Sequence, residues 1–160
     1  MSKTKYVHYM NRGFWVYDVG LGVFLKYLID AFEASEQAKV PWLSALISSC
    51  REAAYIGDIG LTLDEDWTPE QRQAFIALAE EACATIRKRA SIPAEEMVAW
   101  HVLDDEGIFP RGAMEVLTAP IVELGGAVIA LVSGRLPEAP NGKVWLYGTP
   151  SGRQELMLRR

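Results

Sequence analysis

FWVYDVGLGVFLKYLIDAFE, residues Phe14 to Glu33, is the stretch of sequence that decides the fold. Wound at about 100° per residue, its apolar side chains cover most of the circumference of a helix. Only part of the far side is polar, where Lys26 and Asp30 lie. A helix that is apolar nearly all round is one that other elements surround. The pattern therefore predicts a central helix over residues 14–33, roughly 30 Å long at about 1.5 Å per residue.

Two glycines interrupt this helix, Gly20 and Gly22. Each costs about 1 kcal/mol relative to alanine inside a helix. A side chain is missing where another part of the chain comes close or where the helix bends. We therefore expect a close approach of a neighbouring helix, or a local bend, at this point.

The clearest helix start in the chain is at Thr68. Thr68 fits an N-cap, Pro69 the first helical position, and Gln71 completes a capping box. Apolar residues at three-and-four spacing continue to Ile86, which predicts a helix to about Ala90.

Further helices are predicted from proline starts and glycine stops. One runs from Pro41 to about Ile56, and another from Pro120 to about Val132, before Gly134. The segment 92–104 fits either a short helix or a short strand, because its apolar run is too short to separate the two periods.

Two parts of the chain indicate β-structure. Residues 5–10, KYVHYM, are rich in aromatic and β-branched side chains and predict an edge strand. Near the other end, KVWLY and QELML flank GTPSG, which predicts a hairpin over about 143–158. An isolated hairpin is marginal in water, so we expect it to pack on the helices, with residues 5–10 as a candidate third strand.

The expected fold class is mainly α (α+β). It is a single-domain bundle over residues 1–160, in which four to five helices surround the central hydrophobic helix. The helical core spans about 14–134, and the C-terminal hairpin about 143–158. A length of 160 residues fits one domain.

Composition indicates a folded, soluble, cytoplasmic protein. Half of the residues are hydrophobic and 23% are charged, which excludes a disordered chain. No run approaches the roughly 18 apolar residues that span a bilayer, and no signal-peptide pattern follows Lys3 and Lys5. Cys50 and Cys83 lie among small apolar residues, so we expect buried, reduced thiols.

Negative charge is concentrated in the middle of the chain. Residues 58–106 carry twelve acids and four bases, whereas the remainder carries nine acids and twelve bases. Such an acidic segment repels phosphates and argues against a nucleic-acid partner. It favours a basic protein partner.

The acidic loop before Thr68 is the candidate partner-binding site. It contains four acids and an aromatic residue: Asp58, Asp64, Glu65, Asp66 and Trp67. The loop lacks the calcium-loop spacing and a phosphate cradle, so we expect no metal and no cofactor. Trp67 is either an exposed interface anchor or a side chain that packs at the helix start.

A catalytic alternative depends on three other residues. Asp18 lies among apolar neighbours, His101 precedes a run of acids, and Arg111 lies in a loop suited to an anion. In this interpretation a small-molecule site lies between the helices and the hairpin. The pattern of Asp18 also fits a carboxylate bound to Arg12 or a tyrosine, and that of Arg111 fits a partner of a nearby acid.

The preferred function from sequence is a non-enzymatic, acidic protein-binding module. In concrete form it is a cytoplasmic inhibitor that occludes a basic enzyme, as an immunity protein or antitoxin does. Acidic surfaces speed the encounter with basic active sites. The small-molecule enzyme and an oligomeric scaffold, assembled from copies of this chain, are the alternatives.

Overall fold

The computed structural model describes residues 4–35 and 40–158. Within these ranges the chain alternates between helices and short strands. The helices are α1 (Asp18–Ala34), α2 (Pro41–Tyr55), α3 (Pro69–Arg87), α4 (Ala94–Ala99) and α5 (Ala119–Val132). The strands are β1 (Thr4–Tyr9), β2 (Arg12–Tyr17), β3 (Leu61–Leu63), β4 (Ser91–Pro93), β5 (Glu115–Leu117), β6 (Lys143–Tyr147) and β7 (Gln154–Met157).

Five of the strands form one mixed sheet in the order β3-β1-β2-β6-β7. The pairs β1–β2 and β6–β7 are antiparallel, whereas β3 lies parallel to β1 and β6 lies parallel to β2. Strands β4 and β5 form a separate antiparallel pair. The described part of the chain is therefore mixed α/β, and the mainly α prediction was only partly correct.

The predicted central helix exists, but its first residues belong to a strand. Phe14 and Val16 are buried while Trp15 and Tyr17 are more exposed, which is the two-residue alternation of a strand. Aromatic and β-branched residues at this point pair with β1 on one side and β6 on the other. The helix begins at Asp18 because the alternation stops there and the apolar spacing becomes helical.

Helix α1 is surrounded, as predicted. It packs against α2, α3 and α5, and Leu21, Phe24 and Leu28 are fully buried. At Gly20 the turn between β6 and β7 comes so close that an added Cβ would lie 2.8 Å from the carbonyl oxygen of Gly148. A close approach is therefore observed, but at Gly20 the neighbour is a turn between two strands and not the predicted helix.

The N-terminal strand is not an edge strand. β1 is flanked by β2 and by β3, which lies inside the acidic stretch before Thr68 that was predicted as a loop. A three-residue strand leaves too little alternation in the sequence to detect. The hairpin β6–β7 is confirmed, and β6 joins it to β2 within the same sheet.

The helix boundaries predicted from caps are confirmed. The backbone N–H of Gln71 donates to Thr68 Oγ1 at 3.1 Å, and that of Thr68 donates to Gln71 Oε1 at 2.9 Å.

Cys50 and Cys83 are buried free thiols, and burial raises the pKa of Cys50 to about 12. Within the described ranges, none of the helices has the length and apolar character required to cross a bilayer.

Candidate functional site

A cleft of about 600 Å³ opens beside the start of β1. We call it the Lys5 cleft. It lies where the beginnings of β1 and α1 meet the end of α2 and the segment after α4. We call Lys5, Asp18 and Arg111 its floor and the apolar side chains its walls; the exposed Glu106 lines it as well. The full lining is Lys5, Asp18, Val19, Ala54, Tyr55, Ile56, Gly57, Val98, Glu106, Gly107, Ile108, Phe109 and Arg111.

Lys5 places an ammonium group inside this cleft. It lies on the buried face of β1 with Val7 and Tyr9, and only 4% of the residue is exposed. Its Nζ donates to the carbonyl oxygen of Ala53 at 2.6 Å and to that of Ile56 at 2.7 Å. The Ala53 carbonyl lies in the last turn of α2, where the helical N–H donors run out. The Ile56 carbonyl, at the C-cap, also accepts the backbone N–H of Ile59 at 3.2 Å. Burial lowers the pKa of Lys5, while the charge of Asp18 opposes that shift.

Asp18 and Arg111 form an ion pair at the same place. Nε of Arg111 donates to the two carboxylate oxygens of Asp18 at 3.1 and 3.0 Å, and Nη2 donates to Oδ2. The carboxylate also accepts the backbone N–H of Val19 at 2.8 Å, at the positive end of α1. The hydrogen bonds with Asp18 raise the pKa of Arg111.

The backbone of Arg111 is in an unusual conformation. Its φ of 51° lies in the left-handed region, which residues other than glycine rarely occupy. Such strained residues cluster at ligand-binding and catalytic sites, because the surrounding structure must hold them in place. The loop therefore holds the Arg111 guanidinium against Asp18 at an energetic cost.

The walls of the Lys5 cleft expose apolar side chains. Val98 is 55% exposed and Phe109 is 73% exposed, and Tyr55 and Ile56 are also exposed at the rim. Ile108 is buried behind them. An apolar concavity with a few convergent polar groups is the usual form of a small-molecule site.

The structure brings together two of the three residues of the catalytic alternative. Asp18 and Arg111 meet, but His101 does not line the cleft. Its side chain is 71% exposed, with Nδ1 at 3.5 Å from Asp105 Oδ1. The described residues that line the cleft include none from the hairpin 143–157, so this cleft does not lie between the helices and the hairpin.

Trp67 is not an exposed anchor. It is 7% exposed and packs against Phe75, Trp42 and Tyr9, with ring centroids 4.9, 5.9 and 6.2 Å away. The alternative interpretation, packing at the start of the helix, is the one observed. The large apolar ring is buried because it closes the gap between β1 and the start of α3.

The four acids of the candidate partner-binding site are exposed, but they do not belong to one continuous loop. Asp58 precedes β3, and its charge acts on the nearby Lys5. Asp64, Glu65 and Asp66 follow β3, at the end of the sheet where Trp67 contacts Tyr9. Strand β3 thus separates Asp58 from the other three.

Lys5 was missed in the sequence, although a signal for it is present. In residues 4–9 the strand alternation places Lys5 on the same face as Val7 and Tyr9. A lysine on the apolar face of a strand is seldom buried without a polar partner. That combination identifies Lys5 as a functional candidate.

The Lys5 cleft offers donors from Lys5 and Arg111, an acceptor from Asp18, and an apolar wall. Among the described residues, no group of three or more histidine, cysteine or acidic side chains is arranged to hold a metal ion. Comparison of the chain with protein-family models, curated proteins and solved structures gives no significant match. The functional proposal therefore rests on the chemistry of the cleft.

Proposed function

We propose that this protein binds a small organic molecule in the Lys5 cleft. The polar head of the ligand meets Lys5, Asp18 and Arg111, and its apolar body lies against Val98 and Phe109. The observation that carries this proposal is the convergence of a buried ammonium group and an ion pair on the floor of an apolar cleft of about 600 Å³. Cavities of roughly 300–1,000 Å³ hold drug-sized ligands.

The polar groups define the kind of head group. An ammonium has three donors, and two of those on Lys5 bind the carbonyl oxygens of Ala53 and Ile56. The Asp18 carboxylate supplies acceptor oxygens beside the Arg111 guanidinium. A head group that both donates and accepts hydrogen bonds, such as an amide or a hydroxy acid, fits this set.

The ion pair also restrains the loop that forms one side of the cleft. A partly buried, multiply hydrogen-bonded guanidinium holds the loop against α1, and binding is tighter when the site is ordered before the ligand arrives. The strained φ of Arg111 supports the same interpretation, because strain of this kind is retained where it positions a group.

A fragment screen tests the proposal. Soluble fragments are screened by saturation-transfer NMR against the wild-type protein and against Val98→Trp, which fills the cleft from its exposed rim. Met157→Trp, on the far strand β7 and 72% exposed, is the matched control. We expect fragments that bind the wild type and the control but not Val98→Trp. Two outcomes would count against the proposal. In one, every fragment that binds does so equally to all three proteins; in the other, no fragment binds the wild type.

A second candidate function is the acidic protein-binding module. Asp64, Glu65 and Asp66 are exposed beside the capped start of α3, so their charges are attached to a rigid element. Among the described residues, none of these three acids takes part in an ion pair. In this proposal they steer a basic protein partner, such as an enzyme that the module inhibits. Assembly of several copies of the chain into a scaffold stays a prediction.

A further inference from the structure

A second, smaller pocket lies at the opposite end of β1. We call it the Arg72 pocket; its volume is about 260 Å³. It is bounded by the turn between β1 and β2, the first turns of α3, and the end of α5. Its lining consists of Tyr9, Met10, Asn11, Arg12, Arg72, Leu131, Val132, Ser133 and Gly134.

Arg72 contains a buried donor that lacks an acceptor. Among the buried side-chain nitrogen and oxygen atoms of residues 4–35 and 40–158, Nε of Arg72 is the one with no hydrogen-bond partner. A buried N–H without an acceptor is unfavourable, and each such group in a native structure calls for an explanation. Within these ranges the chain itself supplies no acceptor for this donor.

Arg72 is not needed as a cap for α5. The backbone N–H groups of Ser133, Gly134 and Arg135 donate to the carbonyl oxygens of residues 129–131 at 2.8–3.2 Å. The hydroxyl of Ser133 donates to the carbonyl of Ile129 as well. The carbonyls of Ile129, Ala130 and Leu131 are therefore satisfied by the chain that follows the helix.

Arg12 is held at the edge of the same pocket. Its Nη2 donates to the carbonyl oxygen of Leu136 at 2.7 Å, which fixes the guanidinium without neutralising it. Among the ion pairs of the described residues, none includes Arg12 or Arg72. The described lining contains no acidic residue. Two uncompensated cations thus share one pocket in a protein of net charge −5.

We propose that the Arg72 pocket binds a small oxyanion, the phosphate or carboxylate group of a ligand. The guanidinium groups of Arg72 and Arg12, which both line the pocket, donate to oxygens of the anion, since a planar guanidinium matches the spacing of oxyanion oxygens. Asn11, in the adjoining turn, also lines the pocket. This site is independent of the Lys5 cleft, which uses different residues at the other end of β1.

Isothermal titration of the full chain with inorganic phosphate, and separately with acetate, tests this proposal. Sodium chloride keeps the ionic strength constant, because screening alone changes weak charge interactions. We expect saturable binding of at least one of the two anions. We expect Arg72→Met to weaken that binding at least about tenfold, as the loss of a hydrogen bond between charged groups implies.

The matched control is Arg135→Met, which removes an exposed arginine close to α5 that does not line the pocket. It should bind the anion as the wild type does. Arg72→Lys keeps the charge but removes the planar guanidinium, so we expect it to bind the anion more weakly than the wild type. It takes the place of Arg72→Met in the test if that variant does not fold. Saturable binding of neither anion by the wild type, or equal affinity in Arg72→Lys, would overturn the proposal.

Discussion

Arg111 donates from Nε to both carboxylate oxygens of Asp18, at 3.1 and 3.0 Å, across 93 residues of sequence. This contact joins the first turn of the buried helix α1 to the loop that follows α4. Because Asp18 also accepts the N–H of Val19, its carboxylate has a fixed position. The pair therefore links the core of the fold to the wall of the Lys5 cleft.

Breaking this pair should destabilise the fold. Asp18→Asn leaves the Arg111 guanidinium partly buried without its counter-charge, and we expect a loss of about 1–3 kcal/mol in the free energy of unfolding. The double variant Asp18→Asn/Arg111→Met should lose less than the sum of the single losses, since the two residues are in contact. Urea denaturation of the four proteins gives the coupling energy.

The exposed pair Lys26–Asp30 is the control for that cycle. Asp30 is mostly in solvent, and the pair spans one turn of α1. Asp30→Asn should therefore change stability by only about 0.3–0.5 kcal/mol. Losses of the same small size for Asp18→Asn would show that the Asp18–Arg111 pair is not part of the folded framework.

Lys5 should make stability depend on alkaline pH. Its pKa is lowered by burial in the folded state, so the unfolded chain holds the proton longer as the pH rises toward the ordinary value of 10.5. The cost of the buried charge is present below the folded pKa and is removed between the folded pKa and 10.5. Stability of the wild type relative to Lys5→Met should therefore rise across this window.

Urea denaturation of the wild type and Lys5→Met at about pH 8, 9 and 10 measures this difference. Cys50 and Cys83, whose pKa values are raised by burial, act in the opposite direction. They are present in both proteins, so their contribution cancels in the comparison. A difference that is flat or that falls with pH contradicts the assignment of a buried, charged Lys5.

Two adjacent glycines of α5 should respond oppositely to the same substitution. An added Cβ at Gly125 would lie 2.4 Å from Cys83 Sγ and 2.8 Å from Cε1 of Phe24. Gly125→Ala should therefore cost about 1–3 kcal/mol by overpacking. At Gly126 nothing lies within 4 Å, so Gly126→Ala should stabilise the helix by about 0.5–1 kcal/mol.

Thermal or chemical denaturation of both variants checks the packing of α5. The order of the two effects matters more than their size, because each variant controls for the change in helix propensity of the other. Stabilisation by Gly125→Ala equal to that of Gly126→Ala would mean that α5 does not contact α3 and α1 at this point.

The second proposed function predicts a kinetic effect. Once a basic protein partner is found, the triple change Asp64→Asn, Glu65→Gln and Asp66→Asn should slow association and flatten its dependence on salt. The off-rate should change less. The control variant neutralises residues 104–106, which are also three adjacent exposed acids. It changes the net charge by the same amount at another place on the surface.

Surface-binding kinetics at low and high salt, with circular dichroism as the folding control, measure both triple variants. A local role requires the 64–66 variant to associate more slowly than the 104–106 variant. Equal association rates for the two would assign the effect to net charge and remove the 64–66 loop from the interface.

Local signals in the sequence predict much of the helical framework. The capping box at Thr68 and the prolines that open α2 and α5 define helix ends through contacts within a few residues. The central position of α1 is also predicted locally, because its own residues are apolar around most of the helix. The border at Asp18 was missed because a short run of aromatic and β-branched residues fits both a strand and a helix.

The Lys5 cleft was harder to predict because its contacts are distant in sequence. Lys5 reaches carbonyls 48 and 51 residues away, and Arg111 reaches Asp18 across 93 residues. Asp18 and Arg111 were identified as separate candidates by their residue types. That they meet depends on how α1 packs in the fold, which no local pattern contains.

In the proposed function, the charged floor of the Lys5 cleft recognises a small molecule. The most direct test is a calorimetric titration of the tightest fragment from the screen into the wild type, Asp18→Asn and Arg111→Met. Lys143→Met, which breaks the exposed Lys143–Glu155 pair on the sheet, is the control. We expect the control to keep the wild-type affinity and each cleft variant to lose at least about tenfold, as for a lost charged hydrogen bond. Equal affinity in all four proteins would contradict the claim.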